Sequence, residues 1–213
     1  MAAKPSTLGD WLRHAESLYV RHGAALGQVA ATAHDEALYL LLHALDLPLD
    51  SKPSVLRRKP TADQVARIED LFRRRLEEHV PAAYLTREAW LGGHRFYVDE
   101  RVIIPRSYFV ELLPEQIPHW LPAGRPVKRV VDVCTGSGCL AILLAHQFAA
   151  ARVDAIELSP DALAVAKFNL ATHGLAGRVK LFHSDVFDAV PPAKYGLIPV
   201  SYTHLTLPTK RIV

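Results

Sequence analysis

The spacing of apolar residues changes character twice along the chain. Up to about residue 80 the pattern is helical. Trp11, Leu12, Ala15, Leu18 and Tyr19 share one stripe, and Ser6 or Thr7 can cap a helix that the pattern carries to about Ala30. HDEALYLLLHALDL forms a second, strongly apolar helix that stops before Pro48, and residues 49–59 read as a linker with Pro53 and Pro60 around it. Thr61 with Gln64 three residues later is a capping box. It opens a third helix whose buried stripe is Val65, Ile68, Leu71, Phe72 and Leu76. From Pro81 aromatic and polar residues alternate around Gly92-Gly93 and again around Asp99-Glu100, which predicts one or two hairpins ended by Pro105. A helix is then predicted from near Ser107, interrupted by Pro114 and Pro118, and Pro122 to Pro126 lead into the next strand.

Beyond that point the pattern alternates strand and helix. Val130, Val131 and Val133 make a β-branched run suited to a strand buried on both faces. Gly136 and Gly138 form a turn, and Leu140 to Ala145 continue as an apolar helix. A second strand ends at Glu157, and a helix runs from near Pro160 to about His173, with Gly174 as its stop. Arg178 to His183 is a third strand, and Tyr195 to Ile198 begins a fourth. The expected class is α/β: a helical N-terminal domain, a hairpin linker and a partial Rossmann-like domain. The expected divisions are 1–80, 81–106, 107–198 and a tail, 199–213.

The glycine turn is where the candidate chemistry sits. Glycines let a backbone approach a ligand closely, and a helix start offers free N–H groups. Glu157, about twenty residues on, is placed to accept hydrogen bonds from two ribose hydroxyls. Gly136, Gly138 and Ala141 also fit the dinucleotide pattern G-x-G-x-x-A, a weak match by itself. Asp132 lies inside the first strand, where dinucleotide folds carry apolar residues. The turn reads Cys134-x-Gly136-x-Gly138, and both details favour S-adenosyl-L-methionine. Asp185, just after the third strand, is a candidate for the adenine amino group.

Composition narrows the rest. Half of the 213 residues are apolar, so a sizeable core is available, and the net charge of +3 does not call for a nucleic-acid partner. Arg73, Arg74 and Arg75 could touch RNA but read better as a solvated helix face beside Glu77 and Glu78. Cys134 and Cys139 are expected to be reduced and packed, with no further cysteine to complete a zinc set. His34 and His43, nine residues apart, are poorly placed to share a metal, and no metal ligands are assigned. No signal peptide and no membrane span are seen, so a soluble cytoplasmic protein is expected.

Several strings resemble the protein-(glutamine-N5) methyltransferase family: DEALYLLLHALDLP, PAAYLTREAWLGGHRFYVDERVIIPRS, DVCTGSGCLAI and VDAIELSPDALAVAKFNL. Pro105-Arg106-Ser107 and CTGSG resemble the branch acting on large-subunit ribosomal protein L3 more than the one acting on peptide-chain release factors. The resemblance implies S-adenosyl-L-methionine as cofactor and ribosomal protein L3, free or in an assembling large subunit, as partner. Carried over by position, Cys134, Thr135, Gly136, Ser137 and Gly138 would line the methionine part of the cofactor. Glu157 would hold the ribose, Asp185 and Val186 would lie near the adenine, and Arg106 with its neighbours would brace the substrate side and the interface between the domains.

The chain departs from that family after Ile198. The family carries Y-D-L-I-V-S-N-P-P-Y there, whereas this chain reads Tyr195-Gly196-Leu197-Ile198 and then PVSYTHLTLPTKRIV. Tyr202 is not preceded by Asn-Pro-Pro and does not stand in for the missing tyrosine. VSYTHLTLPT resembles translated sequencing-adapter sequence, so the expectation is a gene fragment with a non-native tail, inactive as it stands. Two other readings remain open: an amino-methylating nucleic-acid methyltransferase, and a non-catalytic module that binds a ribosomal protein through residues 1–80. A dinucleotide oxidoreductase is a more distant third.

Overall fold

Thr7 starts the first helix, α1 (Leu8–His22), because its hydroxyl accepts the Asp10 N–H while the Asp10 carboxylate accepts the Thr7 N–H. The structure is a computed structural model that describes residues 5–27, 29–121 and 126–199. It divides into two units, Met1–Glu88 and Ala89–Val213, and the division falls inside the segment expected as a linker. The helix predicted to reach Ala30 ends at His22, because Gly23 turns left-handed at φ 57° and returns its N–H to the last turn. Helix α2 (Ala33–Ala44) is capped by Thr32, and α3 (Ala62–Leu76) by the predicted Thr61–Gln64 box. The linker expected over residues 49–59 contains a 3₁₀ turn, Pro53–Arg57.

Apolar stripes from α1, α2 and α3 meet in one core with Trp11, Leu40, Leu41, Ile68 and Phe72 buried. The predicted solvated arginine face is corrected at one position. Arg75 is buried, donating to the Glu36 carboxylate at 2.6 Å and to the Ala25 carbonyl, while the Tyr19 hydroxyl also donates to Glu36 at 2.8 Å. Burial beside that carboxylate pushes the Tyr19 hydroxyl's pKa well above its ordinary range. Arg73 keeps to the surface, paired with Asp70 and Glu78. His34 and His43 are both exposed.

A short helix, α4 (Ala82–Thr86), stands where alternation had predicted strand, ended by Arg87 at φ 56°. The hairpin around Gly92-Gly93 is present as β1 (Glu88–Leu91) and β2 (His94–Tyr97). The second hairpin, around Asp99-Glu100, is not. Asp99 accepts hydrogen bonds from the Tyr97 hydroxyl and from the backbone and guanidinium of Arg101, so the chain turns locally and offers no ladder. The Arg101 bonds hold the Asp99 carboxyl down to about 2. The helix expected near Ser107 is α5 (Phe109–Glu115), which contains Pro114, followed after Gln116 by α6 (Ile117–Trp120).

The second unit is built on a parallel sheet of β3 (Arg129–Val133), β4 (Arg152–Glu157) and β5 (Val179–His183) in that order. Helices α7 (Cys139–Gln147) and α8 (Pro160–Thr172) follow β3 and β4. Val130, Val153 and Ala155 face a core with Ile142 and Leu144, while Val131 and Ile156 face a smaller one under Val190. The predicted fourth strand is reduced to a single parallel bridge between Leu197 and Val130. Two backbone bonds make it, Val131 N–H to Leu197 and Gly196 N–H to Arg129. Tyr195 anchors this segment by donating to Asp154 at 2.7 Å, where Arg129 also pairs. The expected tail, including Tyr202, lies outside the described residues from 200 onward. Among the described residues no helix is long and apolar enough to cross a membrane.

Candidate functional site

The sheet topology fixes where a ligand would sit. Chain order runs outward from β3 to β4 and β5 on one side, while Leu197 pairs on the other, so the order reverses at β3. In open α/β sheets the crevice beyond the strand C-termini at such a reversal is the usual binding place. Residues 134–138 leave β3 at that point, and Glu157 and Asp185 lie at or just beyond the ends of β4 and β5.

The loop is held from below. Asp132 is buried, accepts the Thr135 hydroxyl at 2.6 Å and takes the backbone N–H of Ala141 in the first turn of α7. Gly138, the cap residue of α7, has no side chain to do this, so a carboxylate from β3 satisfies one of the helix's free donors. Burial pushes the Asp132 carboxyl up to about 6, against the pull of these two bonds and with a further push from Glu157. Gly138 itself, at φ 78°, packs so tightly on α8 that an added Cβ would lie 3.2 Å from the Ala166 Cβ. Thr135 and Ser137 are buried within the turn, and the Thr135 N–H bonds the Ile156 carbonyl at 2.9 Å.

The upper side of the loop is open. Gly136 has φ 55°, and no atom lies within 4 Å of where its Cβ would project. Glu157 reaches across to accept the Gly136 N–H at 2.9 Å and also the N–H groups of Leu158 and Ser159. A carboxylate offers about four acceptor positions and these N–H groups take three, so one hydroxyl donor can still be accepted there. Cys134 is exposed at φ 62°, which corrects the expectation of two packed cysteines; Cys139 is half-buried, and both are free. Desolvation first, and then the charges of Glu157, Asp132 and Asp185, raise the Cys134 thiol's pKa, so the loop sits in a negative field. Asp185 and Val186 are exposed after β5, with Val186 at φ 45°. Apolar Leu158, Val186 and Phe187 are exposed on the same two strand exits.

The carboxylates suit a cation and an adenosine better than a pyrophosphate. The Gly136 N–H that a phosphate would need is already given to Glu157. The open space at the Gly136 Cβ position and the acids around it therefore fit S-adenosyl-L-methionine, whose sulfonium is positive. Arg106 is exposed in the segment between β2 and α5.

One residue of this site has no place in the sequence reading. Asn169 is buried in α8. Its amide donates to the Ser137 carbonyl at 2.8 Å and the Tyr97 carbonyl at 3.0 Å, and its oxygen accepts the Tyr97 N–H at 2.8 Å. It ties the glycine loop to the end of the hairpin. The signal available was its position on the buried stripe Ala162, Val165, Ala166, Asn169 and Leu170, where a polar residue needs a reason.

Residues 109–200 match the methyltransferase small domain. Two curated relatives carry the name ribosomal protein uL3 glutamine methyltransferase. The one from Burkholderia pseudomallei is 48% identical over 189 residues, 89% of this chain and 62% of that protein. The one from Neisseria gonorrhoeae is 41% identical over an alignment that covers 95% of this chain and 73% of that protein. A solved ribosomal protein L11 methylase from Lactobacillus delbrueckii subsp. bulgaricus is 34% identical over 36% of this chain and 38% of its own, with a TM-score of 0.31. The chain spans less than two thirds of the length of the Burkholderia relative.

Proposed function

Since the chain belongs to the ribosomal protein uL3 glutamine methyltransferase family, we propose that its second unit binds S-adenosyl-L-methionine over the glycine loop. The activity we assign to the whole protein is methylation of a glutamine side-chain amide in ribosomal protein L3, carried out in the cytoplasm. The observation that supports this most is the Glu157 carboxylate fixed over Gly136 beside an open backbone surface. In this reading Cys134 to Gly138 line the methionine part. Glu157 holds the ribose by accepting one of its hydroxyls, and Asp185 and Val186 meet the adenine with Leu158 and Phe187 nearby. Asp132 and Asn169 act from beneath by holding the loop's shape. Arg106 and the helical unit of residues 1–80 are proposed to serve the protein substrate. The cofactor, when bound, supplies an electrophilic methyl group.

An amide nitrogen is a poor nucleophile because its lone pair is delocalised into the carbonyl. In the family resembled, the Asn and first Pro of N-P-P-Y supply carbonyls that hold both amide hydrogens and align the nitrogen. No N-P-P-Y string follows Tyr195 in this chain. We therefore expect the 213-residue chain to bind cofactor and acceptor without turnover. The experiment pairs two readouts on the untagged chain. In fluorescence anisotropy with S-adenosyl-L-methionine present, purified ribosomal protein L3 is expected to bind, and an RNA oligonucleotide is not. Mass spectrometry of L3 is expected to show no methylated glutamine above a no-enzyme control. Preference for RNA would overturn the substrate class, and methylglutamine would overturn the role given to the N-P-P-Y loop.

A further inference from the structure

The second unit carries a cluster of imidazoles that the cofactor reading does not use. His94 opens β2, His146 lies in the last turn of α7 and His173 caps the end of α8. One ring nitrogen from each lies within 4.8 Å of the other two. His146 sits seven residues beyond Cys139, about 10 Å along α7 from the end that carries the glycine loop. The geometry points to a divalent transition-metal site, with Zn²⁺ its first choice, that joins the β1–β2 hairpin to the C-terminal ends of α7 and α8.

Imidazole nitrogen is a ligand for Zn²⁺, Cu²⁺ and Ni²⁺ and a poor one for Mg²⁺ or Ca²⁺, so three histidines with no carboxylate select the first group. The cluster is also partly built. The Nε2 of His173 lies 2.9 Å from the Arg95 carbonyl oxygen. A carbonyl only accepts, so that nitrogen carries the proton and Nδ1 keeps the lone pair, the outer support that metal-binding histidines commonly have. The same ring is steadied by stacking on Phe96, with centroids 5.1 Å apart. Arg178, whose charge reaches His146, gives its guanidinium to the carbonyls of Ala145 and Phe148.

One adjustment is needed. The His94 and His146 rings stack with centroids 4.6 Å apart and planes 5° from parallel, so their in-plane lone pairs run side by side instead of converging. His146 is exposed, and its ring torsion is broad, so a turn of that side chain brings three nitrogens toward one point at little cost. Three protein ligands leave a fourth position for water.

Calorimetric titration of the untagged 213-residue chain with ZnCl₂ tests this, with MgCl₂ as the comparison ion. One equivalent of Zn²⁺ is expected to bind, and Mg²⁺ is not. His146→Gln should weaken Zn²⁺ by more than the roughly 10–100-fold that loss of an outer-shell partner costs. Because His146 is exposed, this variant keeps the fold. His146→Cys should restore tight binding and, with Co²⁺, give a thiolate-to-metal charge-transfer band that the parent lacks. His43→Gln, an exposed histidine of the other unit, should change nothing. Absence of Zn²⁺ binding, equal affinity in His146→Gln, or loss of the site in His43→Gln would overturn the proposal. Affinity for S-adenosyl-L-methionine, measured on the same samples, reports separately on the glycine loop.

Discussion

Asp132 concentrates the conflict at the centre of the site. It must be near the loop to satisfy the Thr135 hydroxyl and the Ala141 N–H, and that position buries its charge. Its folded-state pKa is raised to about 6, while in the unfolded chain it returns to the ordinary value near 3.8. Between those two values the folded state binds more protons, so this group's contribution is fully present below pH 4 and is lost as pH rises through 6. About two pH units correspond to roughly 3 kcal/mol. Asp132→Asn carries no charge at any pH, so its urea-unfolding stability should gain on the wild type by about that amount between pH 4 and pH 7. Parallel pH profiles for the two proteins would mean that the carboxylate is not buried as described. Offsets from altered hydrogen bonding cancel, because the comparison is of slopes.

At the scale of elements, the sequence shows the parts more readily than the bonds between them. Gly136, Gly138 and Glu157 are legible because a glycine turn between strand and helix and an acid about twenty residues later follow from local spacing. The Thr61–Gln64 box and the Gly92-Gly93 hairpin are legible for the same reason, since each is decided within four residues. Asp99 defeats the alternation pattern because its side chain captures Arg101 and Tyr97, a preference that periodicity does not register. Asn169 escapes because its partners, Tyr97 and Ser137, lie 72 and 32 residues away. It joins β2, the glycine loop and α8, so Asn169→Ala strands three backbone groups at once. A buried group left unsatisfied costs about 1–3 kcal/mol. The expected outcome is a loss of at least that much stability in denaturant melts. S-adenosyl-L-methionine affinity should also fall, because the Ser137 peptide loses its tether. A variant with full stability and unchanged affinity would remove Asn169 from the site.

Taken whole, the chain separates two kinds of work. The unit Met1–Glu88 is built on helices α1 to α4, and its core holds the buried Glu36–Arg75 pair. The unit Ala89–Val213 carries the hairpin, the glycine loop and the acids at the strand ends. That loop is the proposed cofactor floor. The most direct measurement is calorimetric titration of the 213-residue chain with S-adenosyl-L-methionine and, separately, with NAD, for the wild type and Gly136→Val. Saturable binding of S-adenosyl-L-methionine and not of NAD is expected. Gly136→Val should abolish binding, because valine fills the open space over the loop at a φ of 55° that β-branched residues avoid. Affinity for S-adenosyl-L-methionine that survives unchanged in Gly136→Val, or binding of NAD in its place, would contradict that assignment.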